Sequence, residues 1–126
     1  MADTIASYRT LTPYLVVPDA DAEIRFLTAA FGATEALCHR NADQTVMHAE
    51  LHVGDSLIML GQAGATWKAL PAALYLWVSD VDATYAQALK AGATSQSAPE
   101  DKPYGHRNAG VVDQNGITWW IGSPVA

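Results

Sequence analysis

The residues of this chain that are best suited to chemistry form an alternating pattern, His48-x-Glu50-x-His52. On a β-strand, alternate side chains project from one face about 6–7 Å apart. His48 and Glu50 could then act as an acid–base pair, or two of the three side chains could bind one divalent metal ion. The same pattern also fits a polar strand face that is only solvated or hydrogen-bonded. The elements that position these residues therefore decide between the three interpretations.

Composition disfavours several other classes of function. The 126 residues carry a formal net charge of −6, which disfavours nucleic acid and anionic membranes as partners. Cys38 is the only cysteine, which excludes an internal disulfide and a CxxC motif. Half of the residues are hydrophobic, enough for one packed domain. We find no apolar run of signal-peptide or membrane-span length, and we expect a cytoplasmic protein.

A repeat organises the chain and predicts two copies of one supersecondary unit. Residues 14–23 read YLVVPDADAE and residues 75–84 read YLWVSDVDAT, with identity at six of ten positions and an offset of 61 residues. The triplet Gly-Ala-Thr follows in both copies, at 32–34 and at 92–94. Two copies of a half-open sheet predict a cleft between them.

The first copy predicts one helix and four strands. Asp19 or Asp21 is a candidate N-cap of the helix, and Gly32 is a candidate left-handed C-cap. Gly54-Asp55 predicts a type II′ hairpin turn between the last two strands. The strand candidates are 10–17, 34–40, 45–53 and 56–60.

The second copy predicts the same elements in the same order. Asp80 or Asp82 is the candidate N-cap, and Gly92 marks the end of the helix. Asn115-Gly116 predicts a type I′ hairpin turn. The strand candidates are 72–78, about 93–97, 107–113 and 117–121.

These elements predict an α+β fold of tandem βαβββ modules. We expect a curved mixed sheet around a cleft, with the helices on its outer face. Residues 1–126 form a single domain in this prediction, with a first module at about 8–61, a linker at about 62–71 and a second module at about 72–122.

Strand alternation predicts which side chains cover the helices and which face the cleft. The helix-facing set includes Leu15, Val17, Met47, Ala49, Leu51, Val53 and Trp119. The cleft-facing set is Thr12, Tyr14, Val16, His48, Glu50, His52, Met59, Ala73, Tyr75, Trp77, Arg107, Ala109, Val111 and Trp120. Tyr104 and His106 lie on a predicted loop and could reach the mouth of the cleft. Aromatic and apolar walls with a few polar groups are typical of a small-molecule site.

Several of these residues have a second interpretation. Arg107 pairs either with an anionic ligand or with Glu50 in an internal salt bridge. Trp77 and Trp120 either stack on a flat ligand or fill a closed core. Trp67, in the linker, either covers the cleft or packs at a dimer interface.

The tandem order and several motifs resemble the vicinal oxygen chelate superfamily, which includes glyoxalase I, extradiol dioxygenases and bleomycin-resistance proteins. The likeness is closest to its PhnB-type branch. It rests on five segments: TPYLVV (12–17), AAFGA (29–33), MHAELHVGDSLIML (47–60), VSDVDATYAQALKAGA (78–93) and YGHRNAGVVDQNGITWWIG (104–122). The tandem βαβββ order covers essentially the whole sequence, and the segments identify the superfamily more specifically than they identify a substrate.

The resemblance also implies four positions for metal ligands, one on the first and one on the last strand of each module. Metal enzymes of the superfamily have His, Gln or Glu there, whereas the matching residues of this sequence are Thr12, Met59, Ala73 and Trp120. None of the four is a usual ligand of Zn, Ni or Fe. We therefore expect no cofactor, and a divalent metal bound by another ligand set is the disfavoured alternative.

The leading hypothesis is a metal-independent small-molecule-binding protein that acts as a homodimer. It would sequester an aromatic or polycyclic compound in an aromatic cleft, as bleomycin-resistance and other antibiotic-resistance members of the superfamily do. The alternative is a glyoxalase-like lyase or isomerase, or another enzyme, that uses Glu50 and His48 as base and acid with or without a divalent metal. A third hypothesis is a structural or regulatory module with a filled core.

Overall fold

Each copy of the repeat folds into one βαβββ module in the computed structural model, which describes residues 8–125. The first module contains β1 (Tyr14–Val17), α1 (Ala20–Phe31), β2 (Thr34–Arg40), β3 (Val46–Val53) and β4 (Ser56–Gln62). The second module contains β5 (Ala73–Trp77), α2 (Val81–Lys90), β6 (Thr94–Asp101), β7 (His106–Val112) and β8 (Thr118–Pro124). The α+β class and the tandem order predicted from the sequence are confirmed.

The strands form two four-stranded sheets, ordered β1-β4-β3-β2 and β5-β8-β7-β6. The first strand of each module pairs in parallel with the last, and the remaining pairs are antiparallel. The two helices contact each other, and the helix-facing side chains of both modules belong to one hydrophobic core. The predicted single curved sheet with outer helices is thus realised as two sheets that share a core. Their opposite faces consequently point away from each other.

Both helices begin at one of the predicted caps. The Asp19 carboxylate accepts a hydrogen bond from the Ala22 N–H at 3.1 Å, and Asp80 caps α2 in the same way. Gly32 ends α1 in the left-handed conformation, as predicted, with φ of 69°. The cap of α2 is instead Ala91, in ordinary right-handed geometry, and the predicted stop Gly92 follows it directly with a φ of 111°.

The two hairpin turns that join the last strands of the modules differ by one residue. Val53 pairs with Ser56 across Gly54-Asp55, and this confirms the predicted two-residue turn. The predicted type I′ turn at Asn115-Gly116 is wrong, because only Gly116 of this pair has a positive φ. The Asp113 N–H bonds to the Ile117 carbonyl at 2.9 Å, which closes a three-residue loop of the type I plus left-handed glycine class.

The longer second turn changes which face each residue of β7 occupies. Glu50 pairs with Met59 in the first module, whereas Gly110 pairs with Trp120 in the second. The offset from β3 to β7 is therefore 60 residues, although the offset from Met59 to Trp120 is 61. A one-residue shift moves every side chain of a strand to the other face.

Three predicted cleft residues are consequently on the helix side of the sheet. Ala109 and Val111 are fully buried in the core, so the prediction that they face the cleft is wrong. Arg107 bonds to Asp82 of α2 at 2.9 Å and to Asp101 at 3.0 Å. It neither pairs with Glu50 nor faces the cleft, which corrects its assignment as a ligand-binding residue.

In the first module, a β-bulge at Met47 exposes a residue that was predicted to pack against the helices. His39 pairs with His48 and Arg40 pairs with Val46, so Met47 lies opposite no residue of β2. Val46 is fully buried in the core, while Met47 is 52% exposed. The prediction that Met47 packs against the helices is therefore wrong, although Ala49, Leu51 and Val53 do so.

Candidate functional site

A hydrogen-bonded carboxylate lies on the face of the first sheet that points away from the core. Glu50, on β3, is 6% exposed. Its Oε1 accepts a hydrogen bond from the Tyr8 hydroxyl at 2.8 Å, and its Oε2 lies 2.7 Å from His48 Nε2. Burial raises the pKa of Glu50, but the hydrogen bonds from His48 and Tyr8 outweigh it and hold the pKa below its ordinary value. Glu50 is therefore a carboxylate at neutral pH.

The hydrogen bonds continue from Glu50 to Tyr14 through the His48 ring. His48 Nδ1 lies 3.2 Å from the Tyr14 hydroxyl. Because Glu50 is ionised, the His48 Nε2 that faces it donates, and His48 Nδ1 accepts from the Tyr14 hydroxyl when Nδ1 carries no hydrogen. Burial, and then the charge of Glu50, raise the pKa of Tyr14, so the phenol stays protonated. We call Tyr8, Tyr14, His48 and Glu50 the carboxylate face.

Trp67 and Tyr8 complete this face from outside the module's strands. The ring of Trp67 lies 5.2 Å from that of Tyr14, so Trp67 covers the Tyr14 ring from the linker. Sequence reasoning missed Tyr8, because its equivalent in the repeat is Ala69 and no local pattern marks it. Only the folded chain brings Tyr8 to Glu50, which is 42 positions away in the sequence.

The equivalent face of the second sheet is lined by aromatic rings. The ring centroids of Tyr75 and Trp77 are 4.7 Å apart, those of Trp77 and His106 4.8 Å, and those of Tyr104 and His106 5.2 Å. Trp120 lies across Gly110, where an added Cβ would stand 2.6 Å from the Trp120 ring. We call Tyr75, Trp77, Tyr104, His106, Asn108 and Trp120 the aromatic face.

Asn108 is the buried polar group of the aromatic face. It is 2% exposed, and its Nδ2 donates to the Tyr75 hydroxyl at 3.2 Å and to the Tyr104 hydroxyl at 3.0 Å. Its Oδ1 is buried without a hydrogen-bond partner among residues 8–125. Asn108 contributes to a pocket of about 320 Å³ whose other lining residues are Tyr75, Ser97, Lys102, Tyr104 and Trp120.

The predicted site residues therefore fall into two groups on different sheets. Tyr14, His48 and Glu50 meet on the first sheet, beside Met59, whereas Tyr75, Trp77, Tyr104 and Trp120 meet on the second. His52 is half-buried between Thr34 and Leu57, two residues beyond Glu50 on the same strand. The two groups do not form one cleft within a single chain, because the two faces point away from each other.

A second pocket, of about 350 Å³, lies between the modules. It is lined mainly by apolar residues of the β3–β4 turn, β5 and the segment before β1, including Leu11, Val53 and Leu74. Tyr75 and Trp77 reach its edge, but it contains neither Glu50 nor Asn108. Its only charged lining residues are Arg9 and Asp55, so it offers less for specific recognition than the two sheet faces.

The four positions where the resemblance implies metal ligands do not fit a metal. Ala73 has no donor atom, and the indole of Trp120 has only an N–H donor. Among the described residues, no group of three or more His, Cys, Asp or Glu side chains could hold a metal ion. His48, Glu50 and His52 therefore do not form such a group, and Glu50 instead contacts His48 directly at 2.7 Å.

No helix within residues 8–125 is long and apolar enough to cross a membrane.

Comparison with known proteins agrees with this fold. A family model described as the Glyoxalase/Bleomycin resistance protein/Dioxygenase superfamily matches residues 4–121. An uncharacterised protein of Mycobacterium bovis is 37% identical over 126 residues, which cover 91% of this chain and 83% of the relative. An uncharacterised protein of Mycobacterium tuberculosis is also 37% identical, over 91% of this chain and 74% of the relative.

Two solved structures are informative. TioX from Micromonospora sp. ML1 is similar with a TM-score of 0.79 and 27% identity, over 94% of this chain and 100% of that chain. A PhnB protein from Bacillus cereus is similar with a TM-score of 0.71 and 16% identity, over 91% of this chain and 99% of that chain. At the lower identity the likeness shows the fold alone.

Proposed function

The chain belongs to the Glyoxalase/Bleomycin resistance protein/Dioxygenase superfamily, and from that premise we propose that it binds a small aromatic molecule without a metal. The observation that carries this proposal is the aromatic face. Tyr75 is 39% exposed and Trp77 is 54% exposed, and neither belongs to the core. Contiguous exposed aromatic surface is characteristic of binding sites. Stacking on such rings contributes about 0.5–1.5 kcal/mol beyond the burial of area.

A homodimer completes the site in this proposal. One chain presents its two faces on opposite sides of a shared core, so each face is open to solvent. Two copies related by a two-fold axis can pair the carboxylate face of each with the aromatic face of the other, which encloses two equivalent clefts. This pairing would also cover Met47, which is 52% exposed. Sedimentation should then give a mass twice the 13.4 kDa of the chain.

Sequestration of an aromatic or polycyclic compound in the cytoplasm is the role that follows from this site. A cleft assembled from both faces would hold the ring system against Trp77 and Trp120 and place polar groups of the ligand toward Glu50. The missing metal donors at Ala73 and Trp120 support binding without metal chemistry. Resistance by sequestration needs affinity and no turnover, so this role requires no further catalytic group.

Calorimetric titration with acridine, phenanthridine and anthraquinone tests the proposal. We expect saturable binding of at least one compound, and a loss of roughly tenfold in affinity in Trp77→Ala, since a buried aromatic anchor contributes more than one kcal/mol. Leu70→Ala is the matched control, because Leu70 is exposed on the linker and belongs to neither face. A folded protein that binds none of the compounds would contradict the proposal.

Acid–base catalysis at the carboxylate face is the second candidate, favoured by the 2.7 Å contact between His48 and Glu50. Glu50 accepts two hydrogen bonds, so it orients His48 and stabilises the imidazolium. His48 Nδ1 can take the Tyr14 proton as the Tyr14 oxygen takes one from a substrate. Mass spectrometry of the recovered ligand separates the candidates. An unchanged ligand supports sequestration, whereas an altered one whose formation falls roughly 100-fold in Glu50→Gln supports catalysis.

A further inference from the structure

The aromatic face contains one polar atom whose bonding is incomplete. Among residues 8–125, only two buried side-chain atoms have no hydrogen-bond partner, Glu23 Oε2 and Asn108 Oδ1. Glu23 lies on α1 at the junction of the modules and reaches neither sheet face. Asn108 lines the pocket of the aromatic face. Nearly all buried polar groups of native proteins are hydrogen-bonded, and a donor group that enters the pocket would supply the partner that this oxygen lacks.

The contacts with the neighbouring hydroxyls involve the nitrogen end of the Asn108 amide. The Tyr75 hydroxyl lies 3.3 Å from His106 Nδ1 and donates to it when that nitrogen is unprotonated. The Tyr75 oxygen then accepts from Asn108 Nδ2, whose second hydrogen goes to the Tyr104 oxygen. Both donors of the amide are therefore used within the protein, and the acceptor Oδ1 remains.

The first module has no such incomplete group at the equivalent place. His48 occupies the position of Asn108, at the same offset of 60 residues that relates β3 to β7. Both ring nitrogens of His48 have partners, and so do both carboxylate oxygens of Glu50. The unmet acceptor is thus specific to the aromatic face, beside the rings of Tyr75, Tyr104 and Trp120.

From these contacts we infer that the ligand is a flat aromatic compound with an N–H or O–H donor at the ring edge, and that this donor binds Oδ1 of Asn108. The inference rests on the proposed function, because it identifies the ligand class of the same aromatic face. The rings of Tyr75 and Trp120 hold the ligand plane, and Asn108 selects its edge. A pocket of about 320 Å³ has room for a bicyclic ring.

Two probes that differ in a single donor test this inference. 2-Naphthol has an O–H donor, and 2-methoxynaphthalene has the same ring system without one. In calorimetric titrations of the wild-type protein, we expect 2-naphthol to bind roughly tenfold more tightly, the ratio that one hydrogen bond to a buried acceptor gives. Equal affinities would overturn the inference and leave the proposed function intact. Binding of neither probe would overturn the inference, and it would overturn the proposed function only if acridine, phenanthridine and anthraquinone also failed to bind.

Asn108→Leu removes the acceptor while keeping a side chain of similar size. We expect the preference for 2-naphthol to fall to about one, with the affinity for 2-methoxynaphthalene changed by less than about twofold. Leu70→Ala, on the linker and outside both faces, is the control and should keep the preference. A preference that survives in folded Asn108→Leu would overturn the inference.

A measurement on the wild-type protein covers the case in which Asn108→Leu does not fold. The side-chain amide resonances of Asn108 should shift when 2-naphthol saturates the protein and shift much less with 2-methoxynaphthalene. Those of Asn115, at the module junction, should stay in place with both probes. Equal shifts of the Asn108 resonances with the two probes would count against the inference.

Discussion

The carboxylate face and the aromatic face occupy equivalent places in the two modules but have different chemistry. Tyr14 and Tyr75 are equivalent, and each hydroxyl lies within 3.3 Å of a histidine Nδ1. Met59 of β4 is equivalent to Trp120 of β8, and Glu50 of β3 is equivalent to Gly110 of β7. The second module thus has the larger side chain on its last strand, Trp120 in place of Met59, and no side chain on the neighbouring strand, Gly110 in place of Glu50.

This exchange shows how a duplicated fold acquires two different surfaces. The large indole of Trp120 fits in the second module because Gly110 has no side chain beneath it. In the first module the smaller Met59 leaves space for Glu50, which Tyr8 and His48 then hydrogen-bond. The backbone pairing is conserved within the repeat, while the volume of one cross-strand pair decides whether the face is charged or aromatic.

Gly110→Ala gives the largest expected effect on this comparison. An added Cβ would stand 2.6 Å from the Trp120 ring, so the ring must move or the strands must separate. We expect the free energy of unfolding to fall by about 2–3 kcal/mol, the upper part of the range for overpacking. Urea denaturation measures this change. Gly64→Ala is the control, because a Cβ at Gly64 meets nothing within 4 Å, and equal effects of the two substitutions would contradict the assignment.

Glu23→Gln tests a second difference, at the junction of the modules. Glu23 is 1% exposed and accepts from Asn115 Nδ2 at 3.0 Å, whereas its equivalent in the repeat is Thr84. Burial, and then the neighbouring Asp113, raise the pKa of Glu23 to about 9. The folded state therefore holds the proton more tightly than the unfolded state, and stability falls as pH rises from about 4.5 towards 9.

The Gln side chain cannot ionise, so the variant should escape this loss. We expect Glu23→Gln to be more stable than the wild type at pH 8 by at least about 1 kcal/mol, since each unit of pKa shift corresponds to 1.36 kcal/mol. At pH 4.5 the two proteins should be nearly equal. Urea titrations at both pH values measure the difference, and Glu35→Gln, at an exposed position of β2, is the control. A gain that is the same at both values would exclude the ionisation of Glu23 as its cause.

Gln44→Gly gives the smallest expected effect and extends the comparison to the β2–β3 turn. Gln44 has a φ of 74°, and the matching turn of the second module has Gly105 with a φ of 90°. Both turns are closed by equivalent bonds, from Asn41 N to Thr45 O at 2.8 Å and from Lys102 N to His106 O at 2.7 Å. Glycine removes the strain of the left-handed conformation, so we expect stabilisation of about 0.5–1 kcal/mol.

Thermal unfolding would measure the gain from Gln44→Gly as a rise in Tm. Ala42→Gly adds a glycine to the same turn at a residue whose φ is not positive, and it should lower Tm. If Gln44→Gly also lowered Tm, the equivalence of the two turns would not extend to their energetics.

The turns also show how far sequence reasoning reaches on this chain. The register from Val53 to Ser56 follows from Gly54-Asp55 alone, and it correctly places Glu50 opposite Met59. Asn115-Gly116 suggests an equally short turn, but the Asp113 carboxylate accepts from the N–H groups of Asn115 and Ile117. These bonds favour a type I turn with one more residue. The face of β7, and with it the position of Arg107, could not be predicted without them.

The sequence by itself determined the two modules, helix starts at Asp19 or Asp21 and at Asp80 or Asp82, and side chains at Ala73 and Trp120 that are not metal donors. These features depend on residue type, periodicity and contacts between near neighbours. The tertiary structure decided that the modules share a core, that Tyr8 reaches Glu50, and that Asn108 keeps a free acceptor on the aromatic face. Each of these depends on residues far apart in the chain, whose distances are set only when both sheets have packed.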